Sequence, residues 1–255
     1  MSAHDFVLHM FPASHFNEKA RWALDWKGLA HVRIPYLPGP HAPQLQRLSG
    51  QPQTPVLVMN GAAIAGSASI VDALERTFPQ RPLYPADPTL CERALEVQRR
   101  FDAEVGPAVR TVVFAEMLPE LDYLCAMFTK GQPSWKRRFY RATAPLVRPL
   151  MAKGNGVTPD NVPRALARTE RALDEAAALI GPSGQIAGDA FSVADLTVAS
   201  LLAPLVSLDH PDMARPQPVP ARVEAMTARF ADHDAIAWVR AQYAKHRPAP
   251  CAVSA

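Results

Sequence analysis

The sequence predicts a small α/β domain followed by an all-helical domain. Three observations carry this. Hydrophobic periodicity switches repeatedly between strand-like and helix-like over residues 1–79, a proline-dense stretch follows, and helical periodicity then runs almost to the end.

The elements of the first domain follow in order. FVLHMF is a strand, and NEKARWALDWKG runs helically until Gly28 stops it. On that helix Ala20, Ala23, Leu24 and Trp26 offer an apolar surface, while Glu18, Lys19 and Lys27 are expected in solvent. HVRIPYL is a second strand, and PGPHAPQLQRLSG holds at most a short helix. TPVLVM and AAIAG are strands three and four, joined by a tight turn at Asn60-Gly61. SASIVDALERTF closes the unit as a helix. The order is βαβαββα, with a four-stranded mixed sheet expected.

PQRPLYPADP, residues 79–88, has four prolines in ten residues and sustains neither a helix nor a central strand. The division read here is a first domain at 1–79, a linker at 80–88 and an all-helical domain at 89–255. Helices are expected near 89–118, 134–152, 161–180, 192–208, 219–231 and 234–246. In GDAFSVADL, Ser192 caps a helix and Asp195 reaches back to it, which supports folding and carries no chemistry.

Composition narrows the function classes. The chain has 255 residues, 48% of them apolar, and a net charge of +3, too mild to indicate nucleic-acid binding. The charge is unevenly spread. Between Tyr123 and Pro159 there is no acid, while Lys130, Lys136, Arg137, Arg138, Arg141, Arg148 and Lys153 are all basic. These seven exceed the total of +3, so the remainder carries −4. The stretch reads as a helix with an apolar face on Phe139, Thr143, Val147 and Leu150 and a solvated basic face. Three dispersed cysteines, Cys91, Cys125 and Cys251, suggest neither a disulfide scaffold nor a metal site. Reduced, cytoplasmic surroundings are expected, and no targeting signal opens the chain. LTVASLLAPLVSL is too short to span a bilayer, so no membrane insertion is expected.

Three points in the first domain could meet a ligand. Ser14 lies between the first strand and the first helix, where it can cap the helix or donate to an anion near the helix start. Its neighbour His15 can donate to a ligand or cover the helix end as a partly exposed ring. Thr54-Pro55 opens an apolar strand, either as a trans proline at a sheet edge or as a cis bond. Gly66-Ser67 precedes the third helix, with Ser67 as its cap and free amides nearby for a carboxylate. All three fall at strand ends or starts, where α/β sheets collect ligands.

FPASHFNEKARWALDWKGL, TPVLVMNGAAIAGSASIVDALERTFPQRPLYPADP and IAGDAFSVADLTVASLLAPL together resemble the cytosolic glutathione S-transferases. QPSWKRRFYRATAPLVRPLMAKGNGV resembles a bacterial, serine-type subgroup whose substrates are poorly defined. The resemblance implies a thioredoxin-like first domain and a helical second one. It implies that Ser14 is the catalytic residue and contacts glutathione sulfur, that Asn17 stands at the second cysteine position of the thioredoxin motif, and that Pro55 follows a cis bond. Thr54 and Pro55 would meet the glutathione backbone and Ser67 its γ-glutamyl carboxylate, with His15 and Gly66 as further possible contacts. Gly66 departs from the Glu, Gln or Asp common before that serine. The implied activity is glutathione transfer to a small hydrophobic electrophile, in a cytoplasmic homodimer without metal. The alternative is a binding or regulatory protein with the same fold and little turnover.

Overall fold

A computed structural model of the chain describes residues 5–253. The first part is a sheet flanked by helices: β1 (Phe6–Met10), α1 (His15–Trp26), β2 (His31–Pro35), α2 (Ala42–Ser49), β3 (Val56–Met59), β4 (Ala62–Ala65) and α3 (Ser67–Thr77). β1 runs parallel to β2, with Val7 beside Val32, and antiparallel to β3, with Phe6 beside Met59. The β3–β4 hairpin turns through Asn60 and Gly61, both at positive φ (52° and 82°), the conformation that a two-residue turn of matching twist requires. This is the expected thioredoxin-like order.

One strand was absent from the sequence reading. Ala252–Val253, β5, lies parallel beside β2, so the sheet has five strands in the order β4-β3-β1-β2-β5 and not four. Two residues carry no readable period. They are held by a contact distant in sequence: the Cys251 amide donates to Asp25 Oδ1 at 2.7 Å.

The remainder is helical: α4 (Pro88–Arg100), α5 (Gly106–Met117), α6 (Leu121–Phe128), α7 (Ser134–Gly154), α8 (Asn161–Leu179), α9 (Val193–Leu202), α10 (Ala221–Phe230) and α11 (Asp234–His246). The single run expected over 89–118 is interrupted by a π-helical turn at Phe101–Val105. Pro107 crowds the carbonyl one turn back, and the ladder widens so that the Gly106 amide reaches Phe101 O. Helix α6 was not foreseen, because eight mostly apolar residues offer too short a period. The Ser192–Asp195 capping box is formed as read.

Helix α1 is central to the molecule, packed against both α3 and α9. Trp22 is fully buried against Phe191 and Tyr243, and Trp26 packs on Phe191. Burial on nearly all sides overturns the expectation that Glu18, Lys19 and Lys27 are solvated. Lys19 pairs with Asp102 at 2.6 Å and Lys27 with Glu75 at 2.6 Å. Glu18 accepts from Arg21 at 2.9 Å and Arg247 at 2.8 Å. Arg247 also binds Asp25 and Asp212, and Arg33 binds the same two carboxylates. Three arginines and three carboxylates thus close a neutral buried cluster tying α1 and β2 to the carboxy-terminal tail.

Helix α7 is turned one residue from the expected phase. Tyr140, Ala144 and Met151 face inward, while Phe139 and Leu150 are exposed. Among the described residues no helix is long and apolar enough to cross a membrane.

Candidate active site

Ser14 caps α1 with an extended backbone, and its Oγ accepts from the Asn17 amide at 3.4 Å. That bond is long, and it uses the oxygen as acceptor only, so the hydroxyl proton remains available to donate. Ser14 is half-buried and lines a cavity of about 420 Å³. The walls come from both halves of the molecule: Thr54 and His41 from the sheet side, Arg110 and Phe114 from α5, and Val147 and Met151 from α7.

Asn17 is fully buried, and its Nδ2 donates to Thr54 Oγ1 at 3.0 Å. This bond fixes the loop before β3 against the start of α1. The Thr54-Pro55 bond is cis, as the resemblance implied. A second cis bond, at Gln217-Pro218, had no sequence signal. Pro55 O accepts from the Gly66 amide at 2.9 Å, joining the cis-proline turn to the start of α3. Gly66, not Ser67, is the N-cap residue of α3; the cap assigned to Ser67 is therefore corrected by one position. Gly66 has φ of +91°, and ψ of 141°, a region that side chains avoid and glycine enters freely. A Cβ there would meet nothing within 4 Å, so backbone conformation rather than crowding explains the glycine.

Ser67 is buried at the first helical position, and the first helical bond of α3 is Ile70 N to Gly66 O. The preceding amides point out of the helix start, a setting that favours a carboxylate. The cavity brings Ser14, His15 and Thr54 together; Pro55, Gly66 and Ser67 lie outside its lining and are linked to it through the Pro55–Gly66 bond.

His15 is not the partly exposed ring that was one reading of it. It is buried, and Nε2 donates to Gly106 O at 3.1 Å across the two halves of the molecule. Burial, and next the Arg110 charge, push its pKa down to about 3, so the ring is neutral. With its Nε2 proton engaged, His15 positions α1 against α5 rather than serving as an acid. Phe16 reinforces that contact: a Cβ at Gly106 would stand 2.5 Å from Phe16 Cζ.

Phe101, Val105, Val109, Val112 and Met117 are buried in the core. Arg110 and Phe114, one turn apart on the neighbouring face of α5, open on the cavity instead. Among the described residues no group of three or more His, Cys, Asp or Glu side chains is placed to hold a metal ion.

Residues 8–82 match the family model of the glutathione S-transferase N-terminal domain. That match covers the sheet-bearing part of the chain, from β1 to just past α3. No curated protein matches the chain. Solved structures share the fold of both parts of the chain at low identity. The beta-etherase LigF from Sphingobium sp. strain SYK-6 is 16% identical with a TM-score of 0.60, over 92% of this chain and 98% of that one. A glutathione S-transferase from Xanthobacter autotrophicus Py2 is 16% identical with a TM-score of 0.61, over 94% and 93%. Another, from Methylobacillus flagellatus KT, was solved with glutathione bound; it is 17% identical with a TM-score of 0.54, over 92% and 98%.

Proposed function

We propose that this chain is a glutathione transferase of the serine type, in which Ser14 holds the glutathione sulfur as a thiolate. The observation that carries the reading is the Ser14 hydroxyl. It stands at the amino end of a helix, on a two-walled cavity, with its proton uncommitted. A hydroxyl donating to sulfur, helped by the helix dipole, favours the anion over the neutral thiol.

The surrounding residues suit the rest of a tripeptide. The Thr54 backbone, on the turn before β3, offers strand-like pairing to an extended peptide. Ser67 and the open amides of α3 suit an α-amino acid carboxylate. Glutathione supplies the nucleophilic sulfur; the protein residues orient it, lower its thiol pKa and present it to the α5–α7 wall. Gly66 contributes no side chain to this binding, and its backbone explains why.

Calorimetric titration with glutathione tests the reading. Saturable one-to-one heat in the wild type, retained in Ser14→Ala and weakened in Ser67→Ala, is the expected pattern. Absence of binding in the wild type contradicts it. We take the working assembly to be a cytoplasmic homodimer, the two domains of each chain joined through residues 80–88, and sedimentation at micromolar concentration is expected to give twice the chain mass. A concentration-independent monomer contradicts the dimer.

A further inference from the structure

Arg110 is the one strong charge we find on the cavity wall opposite Ser14, and nothing in the transferase reading uses it. It projects from α5 into the same cavity as Ser14, Thr54 and Phe114. Its Nε is buried and has no hydrogen-bond partner. No ion pair involves Arg110 among the described residues, and the cavity lining contains no Asp or Glu. Other buried cations are satisfied: Lys19 has Asp102, Lys27 has Glu75, Arg21 and Arg247 share Glu18, and Arg215, without a carboxylate, donates to Pro204 O and Val206 O. The neighbouring His15 is neutral and offers no negative charge. A partly desolvated guanidinium with an unmet donor is costly to leave without a partner. Its planar fork matches a carboxylate.

Resting on the transferase reading, we propose that the electrophile taken by this cavity carries a carboxylate, and that Arg110 binds it. The apolar body of such an acid packs on Phe114, Phe128, Val147 and Met151. Its reactive carbon then faces the sulfur held at Ser14. This narrows the substrate class from hydrophobic electrophiles in general to aryl or alkyl acids bearing a leaving group or an activated carbon. Arg110 acts here as a substrate-binding residue.

The test compares chlorodinitrobenzoate with the carboxamide of the same substitution pattern. In both, the thiolate electron pair forms a C–S bond, the C–Cl bond breaks, and chloride departs with its electron pair. The thiol proton has already passed to solvent. In the wild type, KM for the acid is expected about tenfold or more below that for the amide, the scale of one charge-assisted hydrogen bond. Arg110→Met removes the difference, Arg110→Lys keeps part of it, and the glutathione Kd stays within about twofold in both. Equal KM values for acid and amide in the wild type overturn the proposal. So does a glutathione Kd that rises sharply in Arg110→Met with no change in discrimination, since Arg110 then holds glutathione itself.

A parallel titration with unreactive dinitrobenzoate separates this proposal from the one beneath it. Binding that requires Arg110, in a protein that turns over neither chloro compound, refutes transfer and leaves the anion site standing. Turnover with dinitrobenzoate binding indifferent to Arg110 does the reverse.

Discussion

Asn17 Nδ2 donates to Thr54 Oγ1 at 3.0 Å, and through this bond the first turn of α1 holds the loop that leads into the cis-proline. Ser14 and Thr54 therefore keep a set separation although they stand 40 positions apart in the chain. The Asn17 side chain works as a strut between α1 and the loop before β3. Its own Oδ1 is buried without a partner, so the Thr54 bond is its anchoring contact.

Asn17→Ala and Thr54→Val are each expected to lower stability by about 1 kcal/mol, with a coupling energy of similar size in the double variant. Denaturant midpoints for the four proteins check this. Strict additivity would show that the two side chains are independent.

The fit of Phe16 against Gly106 sets a second expectation. Gly106→Ala places a methyl 2.5 Å from the ring, and the ring edge must move. A loss of about 1–3 kcal/mol is expected, largely recovered when Phe16→Leu is added. Thermal unfolding of the single and double variants reads it; a neutral Gly106→Ala would mean that α1 and α5 are not closely packed.

Much of this architecture was legible in the sequence. Period changes identify β1 through α3, Asn60-Gly61 marks its hairpin, and the Ser192–Asp195 pair marks the start of α9. What stayed hidden depends on contacts distant in sequence. Glu18, Lys19 and Lys27 look like a solvated face until Arg247, Asp102 and Glu75 arrive from elsewhere to neutralise them. β5 is invisible for the same reason, being held by Asp25 through Cys251. At the site, Ser14 and Thr54 announced themselves by chain position. Arg110 did not, because only the fold brings α5 and α7 round to Ser14 and makes a cavity of them.

Two buried titratable groups are expected to make stability fall in acid, His15 as a neutral ring and Asp212 as a paired carboxylate. Burial pushes the His15 pKa down to about 3 from 6.5, so the unfolded chain takes up a proton that the native state refuses. Its contribution is present above the unfolded value and is lost as pH falls toward 3. Burial alone would raise the Asp212 carboxyl, but Arg21, Arg33 and Arg247 outweigh it and hold it at about 2. That contribution is full above 3.8 and is lost as pH falls toward 2. Denaturation midpoints across this range should decline first with the histidine and again with the carboxylates. His15→Gln should flatten only the upper part. Arg247→Met, which leaves buried carboxylates short of a cation, should cost about 3–5 kcal/mol at neutral pH. A flat acid profile would contradict both assignments.

If the Ser14 hydroxyl stabilises a thiolate, the absorbance of bound glutathione followed against pH will show it. The wild type is expected to show a thiol pKa below that of free glutathione. Ser14→Ala should raise it and slow transfer by roughly one to two decades, the equivalent of a charge-assisted hydrogen bond of about 1.5–3 kcal/mol. Ser67→Ala should weaken binding and leave the thiol pKa nearly unchanged. Should Ser14 only cap α1, its removal will cost about 0.5–2 kcal/mol of stability with no change in thiol ionisation. A bound thiol in the wild type that titrates like free glutathione contradicts the account.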